Sequence, residues 1–256
     1  MRCLPPGQLQ TSLALALFSA ACAPHPASQK LAIAAAADLN FALPELARGF
    51  HAVDPAVELE VAYGSSGNFY AQIGNRAPFD VFLSADVEYP RRLASAGIGP
   101  ANSVFTYAVG RLVVWVPWSS PLDPASALQD SRVKHVAIAN PQHAPYGRAA
   151  QAALRSLGVY QAVEPKLVLG ENIAQTLQFV ESGAADTGIV ALSLVLAPPL
   201  RARGRYREIP LDAYPRMEQG GIILKDSKAA REFRAFLLST GGRRILKQYG
   251  FFVPGE

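Results

Sequence analysis

Cysteine is scarce in this sequence, and both cysteines lie near the amino terminus. Cys3 and Cys22 are the only two among 256 residues, so the chain from residue 29 onward has none. Disulfide frameworks and thiolate metal sites both need cysteines in the folded part of a protein. The sequence therefore excludes both for the main body of the chain.

Charged residues are also few, at 17% of the chain, and the net charge of +4 is not gathered into a basic run. Arg91-Arg92 and Arg243-Arg244 are isolated pairs. Nucleic-acid binding needs a basic patch or stripe, so we expect no nucleic-acid partner. With 50% hydrophobic residues, the chain can instead bury one large core or two modest ones.

The first 28 residues have the features of an export signal followed by a tether. Arg2 precedes the apolar segment 13–18 (LALALF), which is too short to span a bilayer. The small residues of segment 19–22 (SAAC) then form a candidate cleavage region. Cleavage by the lipoprotein pathway would leave Cys22 acylated, whereas an ordinary signal peptidase would cut at a neighbouring alanine. Both routes predict export.

Residues 61–86 are the most informative stretch of the chain. Alternating apolar residues in 57–63 indicate a half-buried strand, and a Gly-Ser-Ser-Gly turn then leads into a helix. Ser65 and Ser66 stand at the start of that helix. Their hydroxyls can cap the helix, or they can join its backbone N–H groups in binding an anion.

Strands and helices alternate along most of the chain, with short turns between them. This pattern predicts an α/β fold with largely parallel sheets. The carboxyl-terminal part differs, because a strand at 220–224 precedes two helices. We expect those two helices to pack back on the first half of the chain.

Four strand-to-helix turns carry small or polar residues, at 37–38, 65–66, 145–147 and 172–173. Ligands of open α/β sheets collect where helix starts meet the carboxyl ends of strands. Two of the turns belong to each half of the chain, which predicts two lobes with a cleft between them. Their donors are mostly neutral hydroxyl and N–H groups, which favours a fully ionised tetrahedral oxyanion as the ligand.

Seven segments resemble one known family over about residues 31–253. They are 34–39 (AAAADL), 64–73 (GSSGNFYAQI), 77–86 (APFDVFLSAD), 140–147 (NPQHAPYG), 171–177 (ENIAQTL), 188–193 (GIVALS) and 244–251 (RILKQYGF). In this order they resemble the molybdate-binding solute receptors of ABC importers. The resemblance implies a periplasmic, monomeric receptor without a cofactor, which closes on molybdate or tungstate and delivers it to a membrane permease.

The resemblance also implies a division of the chain around a hinge. We expect crossings between the lobes near 107–112 and 222–227. The predicted units are an export signal and tether at 1–28, lobe I at 29–108 plus 226–256, and lobe II at 109–225.

Carried onto matching positions, the resemblance implies a set of ligand-binding residues. Ser66, with Ser65 beside it, would offer hydroxyl and N–H groups, and Tyr146 would offer a hydroxyl or only an N–H. Ile173 and Ala37 would each offer a backbone N–H.

Two features depart from the family pattern. The first turn usually supplies a serine or threonine hydroxyl, but here it holds Ala37 and Asp38, and Ala37 can give only its N–H. Asp38 would repel a dianion if its ionised side chain faced the ligand, so we expect it to point away and cap its helix. Ala191 stands where another branch of the family has a ligand-contacting tyrosine, and Tyr146 could compensate from the opposite wall.

Other functions remain open from the residues alone. A sulfate or phosphate receptor would use the same kind of donors, and cavity size decides between these oxyanions. An enzyme could use His143 as a general base, an iron receptor would need clustered tyrosines and carboxylates, and an interaction module would need no cleft.

Overall fold

The computed structural model describes Met1 and residues 29–255, so the predicted export signal and the lipidation at Cys22 lie outside the described residues. Residues 29–255 contain ten strands, which alternate with helices for most of the chain. The strands are β1 (Gln29–Ala36), β2 (Val57–Gly64), β3 (Val81–Ser84), β4 (Val104–Gly110), β5 (Leu112–Pro117), β6 (Val136–Ala139), β7 (Leu167–Gly170), β8 (Thr187–Ala191), β9 (Gly204–Glu208) and β10 (Met217–Ile223).

The same residues form ten α-helices and several short 3-10 turns. The helices are α1 (Ala42–His51), α2 (Ser66–Gly74), α3 (Glu88–Ser95), α4 (Pro145–Ser156), α5 (Tyr160–Val163), α6 (Ile173–Glu181), α7 (Leu192–Val195), α8 (Pro198–Arg201), α9 (Lys228–Leu238) and α10 (Thr240–Gln248). Within the described part of the chain, none of them has the length and apolar character needed to span a membrane.

The strands form two five-stranded sheets, in the orders β2-β1-β3-β10-β4 and β7-β6-β8-β5-β9. In the first sheet β1 pairs in parallel with β2 and β3, while β10 is antiparallel to β3 and β4. In the second, β6 pairs in parallel with β7 and β8, while β5 is antiparallel to β8 and β9. The α/β fold with two lobes is therefore confirmed, but the sheets are mixed rather than mostly parallel.

The chain passes between the sheets in two places. The first crossing is at Arg111, between β4 and β5, inside the predicted segment 107–112. The return occurs before β10, because Met217–Ile223 pairs with β3 and β4 of the first sheet. The predicted return near 222–227 is therefore wrong, since an apolar strand does not reveal which sheet it joins.

The carboxyl-terminal helices close the first lobe, as expected. Helices α9 and α10 pack on α1, and their buried residues share one hydrophobic core with β1. Phe233 of α9 is fully buried and meets Phe50 of α1 edge to face, with ring centroids 5.4 Å apart. Helices α9 and α10 therefore belong to the same lobe as β1.

Replacement of Phe233 by alanine tests this packing. Loss of a buried phenylalanine leaves a cavity and should lower the free energy of unfolding by about 3–5 kcal/mol in denaturant titrations. Lys228→Ala on the same helix, where the side chain is 78% exposed, should change it by less than about 0.5 kcal/mol. Equal effects of the two changes would contradict this account of the core.

Candidate functional site

One small cavity lies between the two sheets, where the four predicted helix starts meet. Its volume is about 10 Å³. The lining residues are Ala36, Ala37, Asp38, Gly64, Ser65, Ser66, Ala85, Ala144, Pro145, Tyr146, Asn172 and Ile173. All six residues predicted for the site are among them. Ala191, at the end of β8, is not part of this lining.

The start of α2 leaves one backbone donor for the cavity. Ser65 caps the helix by accepting the N–H of Asn68 on its hydroxyl oxygen at 3.3 Å. The N–H of Gly67 donates across the cleft to the carbonyl of His143 at 2.9 Å. The N–H of Ser66 is therefore the first-turn donor without a protein acceptor among the described residues.

The two serine hydroxyls at this helix start have different uses. The Ser66 oxygen accepts the Ala85 N–H at 3.0 Å, so its own hydroxyl hydrogen stays available to the cavity. The Ser65 hydroxyl already caps α2 and bonds Nδ1 of His143 at 3.0 Å. Ser65 therefore lines the cavity, but its hydroxyl is already hydrogen-bonded to Asn68 and His143.

The start of α6 is arranged in the same way. The side-chain oxygen of Asn172 accepts the N–H groups of Ala174 and Gln175, both at 3.0 Å. This leaves the N–H of Ile173, the first helical residue, without a protein acceptor in the described part of the chain.

Helix α4 supplies a third single donor by another route. Pro145 occupies its first position and has no N–H, and the N–H of Gly147 bonds the carbonyl of Ala144 at 3.0 Å. Within residues 29–255, the N–H of Tyr146 is the donor that remains. Three helix starts from both lobes therefore each present one backbone donor to the same cavity.

Asp38 does not cap a helix, contrary to the sequence-based expectation. The 3-10 turn Ala37–Leu39 and helix α1 have no side-chain cap, and Asp38 is buried, with 1% of its surface exposed. Its Oδ2 accepts from Nε2 of Gln219 at 2.5 Å and from the Tyr146 hydroxyl at 3.0 Å. The prediction was wrong because these donors lie on β10 and α4, distant in sequence.

Burial dominates the ionisation of this group. Burial raises the pKa of the Asp38 carboxyl from 3.8 to about 6, although the hydrogen bonds from Gln219 and Tyr146 act to lower it. Burial, together with the charge of Asp38, also raises the pKa of the hydroxyls of Tyr146 and Tyr107 well above 10.0. Both tyrosines therefore remain neutral donors at any ordinary pH.

Gln219 is a residue of this site that sequence reasoning missed. It is fully buried on β10, and its Nε2 contacts both the Asp38 carboxylate and, at 3.2 Å, the Tyr146 hydroxyl oxygen. In the sequence Gln219 lies beside Glu218, just before the predicted strand at 220–224, so no local signal marked it as buried. That segment was also expected in the second lobe.

Polar contacts join the lobes on either side of the cavity. Asn68 of α2 donates to Glu171, whose other oxygen lies 3.5 Å from Nε2 of His143. In a second group, Arg148 of α4 donates to Asp86 at 2.7 Å and to the Tyr89 hydroxyl at 3.1 Å. The described structure is therefore a closed form of the cleft.

The chemistry of the cavity suits an anion better than a metal ion or a reaction. Among the described residues, no three His, Cys, Asp or Glu side chains cluster as metal ligands. His143 touches Ser65 and Glu171 at the rim, where it has the contacts of a loop histidine. The donors inside are oriented N–H and hydroxyl groups, which bind oxyanions without a counter-charge.

Two lobes that close on a small cavity lined by helix starts define a two-lobed solute-binding protein. The family model for bacterial extracellular solute-binding proteins matches residues 31–252. The chain therefore belongs to this family.

Its similar relatives include binding proteins named for one oxyanion. It is 40% identical over 237 residues to the molybdate-binding protein ModA of Azotobacter vinelandii, covering 90% of this chain and 92% of that protein. ModA of Rhodobacter capsulatus is 40% identical over 193 residues, 74% of this chain and 75% of that one. The solved periplasmic molybdate-binding protein of A. vinelandii superposes with a TM-score of 0.81 at 31% identity, covering 88% and 99%.

The pKa of Asp38 predicts how stability depends on pH without ligand. Because the folded-state pKa lies above 3.8, the native state favours the protonated acid, and stability falls as pH rises from about 4 to about 6. Asp38→Asn should remove this loss and stabilise the protein at pH 7 by up to about 3 kcal/mol.

Denaturant titrations across this pH range measure the effect. The exposed Asp212, changed to asparagine, controls for the loss of one negative charge. We expect the free energies of unfolding of Asp38→Asn and of the parent protein to differ more at pH 7 than near pH 4. An equally large difference at both pH values would contradict the raised pKa of Asp38.

Proposed function

We propose that this chain is an exported receptor that captures molybdate or tungstate in the cavity between the lobes and delivers it to a membrane ABC permease. One observation carries the proposal. Three helix starts, from both lobes, each direct one backbone N–H without a protein acceptor into the same cavity. The relatives that are named as molybdate-binding proteins support molybdate as the oxyanion.

The proposed donors to the bound oxyanion are mostly backbone groups. Ser66 offers its N–H and its hydroxyl, and Tyr146, Ile173 and Ala37 each offer an N–H. Helix dipoles add to this attraction, because the positive ends of α2, α4 and α6 face the ligand. The Tyr146 hydroxyl is committed to Asp38, so in the described form it is not a donor to the ligand. We propose no cofactor.

Closure of the cleft follows from the contacts between the lobes. The Gly67 N–H bond to the His143 carbonyl forms only when α2 approaches the loop before α4. The two chain crossings act as the hinge, and closure completes the donor shell from both sides. The closed form is the one that we expect a permease to recognise.

The remaining parts of the proposal concern the chain outside the cavity. Residues 1–28 would direct export to the periplasm, with lipidation at Cys22 as an open alternative. The mature protein would act as a monomer and would not be an enzyme, consistent with relatives that are named as binding proteins.

A thermal-shift panel tests the choice of ligand. Molybdate or tungstate at about 100 times its dissociation constant should add about 2.7 kcal/mol and raise the unfolding midpoint by several degrees. Sulfate, phosphate and Fe(III) are the comparison ligands. A shift with sulfate or phosphate alone would show that the ligand is this smaller oxyanion and not molybdate. The absence of a shift with every ligand would refute an oxyanion receptor.

Ser66→Ala tests the hydroxyl donor. Loss of one hydrogen bond to a charged ligand should weaken molybdate binding by about 1–3 kcal/mol in calorimetry. Ser95→Ala on α3, whose hydroxyl bonds only the Arg91 carbonyl among the described residues, is the matched control and should bind as the parent does. Unchanged affinity of Ser66→Ala would remove this side chain from the site.

Gly67→Ala tests closure. A Cβ at residue 67 would lie 2.4 Å from the His143 carbonyl oxygen across the cleft, so the lobes could not reach the closed position. Binding should weaken at least about tenfold, because the donors of the two lobes no longer meet. Gly74→Ala on the same helix has open space and should not weaken binding. Equal affinity of both variants would contradict closure at this contact.

A further inference from the structure

Asp38, Tyr146 and Gln219 form a buried group at one wall of the cavity, which we call the carboxylate cluster. They come from the 3-10 turn after β1, from α4 and from β10, and each residue has at most 2% of its surface exposed. Gly110, at the end of β4, makes room for them, since a Cβ there would lie 2.4 Å from the Tyr146 hydroxyl. The cluster therefore places a carboxyl group beside the proposed anion site.

The hydrogens of this cluster can be counted. Tyr146 has one hydroxyl hydrogen, and it is donated to Oδ2 of Asp38. Gln219 has two on Nε2, which face Oδ2 of Asp38 and the Tyr146 hydroxyl oxygen. While Asp38 is ionised, the side chains of the cluster have no hydrogen left to give to an anion, and the negative charge of Asp38 opposes an anion.

Two buried oxygens of the cluster, Oδ1 of Asp38 and Oε1 of Gln219, have no hydrogen-bond partner among the described residues, and only the carboxyl oxygen can itself take up a proton. A buried carboxylate oxygen without a donor is costly, whereas a protonated oxygen at the same position becomes a donor. Asp38 lines the cavity, and Oδ1 is the carboxyl oxygen that accepts no hydrogen bond from the described residues.

No cation is placed to neutralise Asp38. In the described part of the chain it has no ion pair, and the groups that act on it are Gln219, Tyr146 and its own backbone. Tyr107 on β4 faces it as a further buried neutral hydroxyl, and Ser193 on α7 donates only to the Asp38 backbone carbonyl. A proton is therefore the available source of positive charge.

We propose that Asp38 takes up one proton from solvent when the oxyanion binds, and that the resulting acid donates a hydrogen bond from Oδ1 to the ligand. This inference rests on the proposed function. The proton moves from the buffer to the carboxylate, the oxyanion keeps its charge, and no bond within the ligand changes. Asp38 thus acts as a binding residue that makes capture stronger as the pH falls.

Calorimetric titration with molybdate measures this proton directly. Near neutral pH, in buffers of different ionisation enthalpy, the protein should take up close to one proton per molybdate, and its dissociation constant should rise about tenfold per pH unit. Near pH 5 the uptake should be smaller, because Asp38 is then largely protonated before binding.

Two variants separate Asp38 from other titrating groups. Asp38→Asn should bind molybdate without proton uptake and with little dependence on pH, and it also reports any titration of the ligand itself. His143→Asn removes the histidine at the cavity rim and should keep the uptake. Thermal unfolding without ligand checks that both variants are folded.

The outcomes distinguish this inference from the function on which it rests. Binding by the parent protein without buffer dependence would overturn it, and so would uptake that persists in Asp38→Asn. Absence of any binding heat with molybdate and tungstate would instead refute the proposed function.

Discussion

An ion that is buried without a counter-charge must be surrounded by hydrogen-bond donors, and this constraint shapes the centre of the molecule. At three helix starts, acceptors of the protein itself bind the free backbone N–H groups until one N–H remains. The side-chain oxygen of Asn172 accepts two N–H groups of α6. Helix α4 begins with Pro145, which has no N–H, so this helix has one donor fewer. The remaining donors need no cation, so the cavity can be both selective for anions and nearly free of charge.

The two-lobe architecture turns these single donors into a site. One donor per helix would hold an ion weakly, but the cleft brings donors of both lobes to one small cavity. The contacts across the cleft, from Gly67 to His143 and from Asn68 to Glu171, lie beside the cavity. Binding and closure are therefore coupled, because the movement that completes the donor shell also forms these contacts.

Asp38 is the exception to a neutral cavity. An ionised carboxylate opposes an anion, and the donors Gln219 and Tyr146, with the backbone of Asp38, offset only part of the cost of its burial. Such a residue is tolerable where a proton can replace the missing counter-charge. A lone acid among neutral donors thus links the strength of anion capture to pH, which a cavity of serines and backbone amides would not do.

The amino-acid sequence determined the local features of this protein. Apolar periodicity, serine and asparagine at helix starts, and the order of seven segments were enough for the α/β class, the two lobes and six of the twelve residues that line the cavity. Other features depended on tertiary structure. The sheet joined by β10, the partners of Asp38, the involvement of Gln219 and the commitment of the Tyr146 hydroxyl were decided by contacts between residues more than 70 positions apart. Periodicity and capping act within a few residues along the chain, so they carry no information about which distant donor meets a buried acceptor.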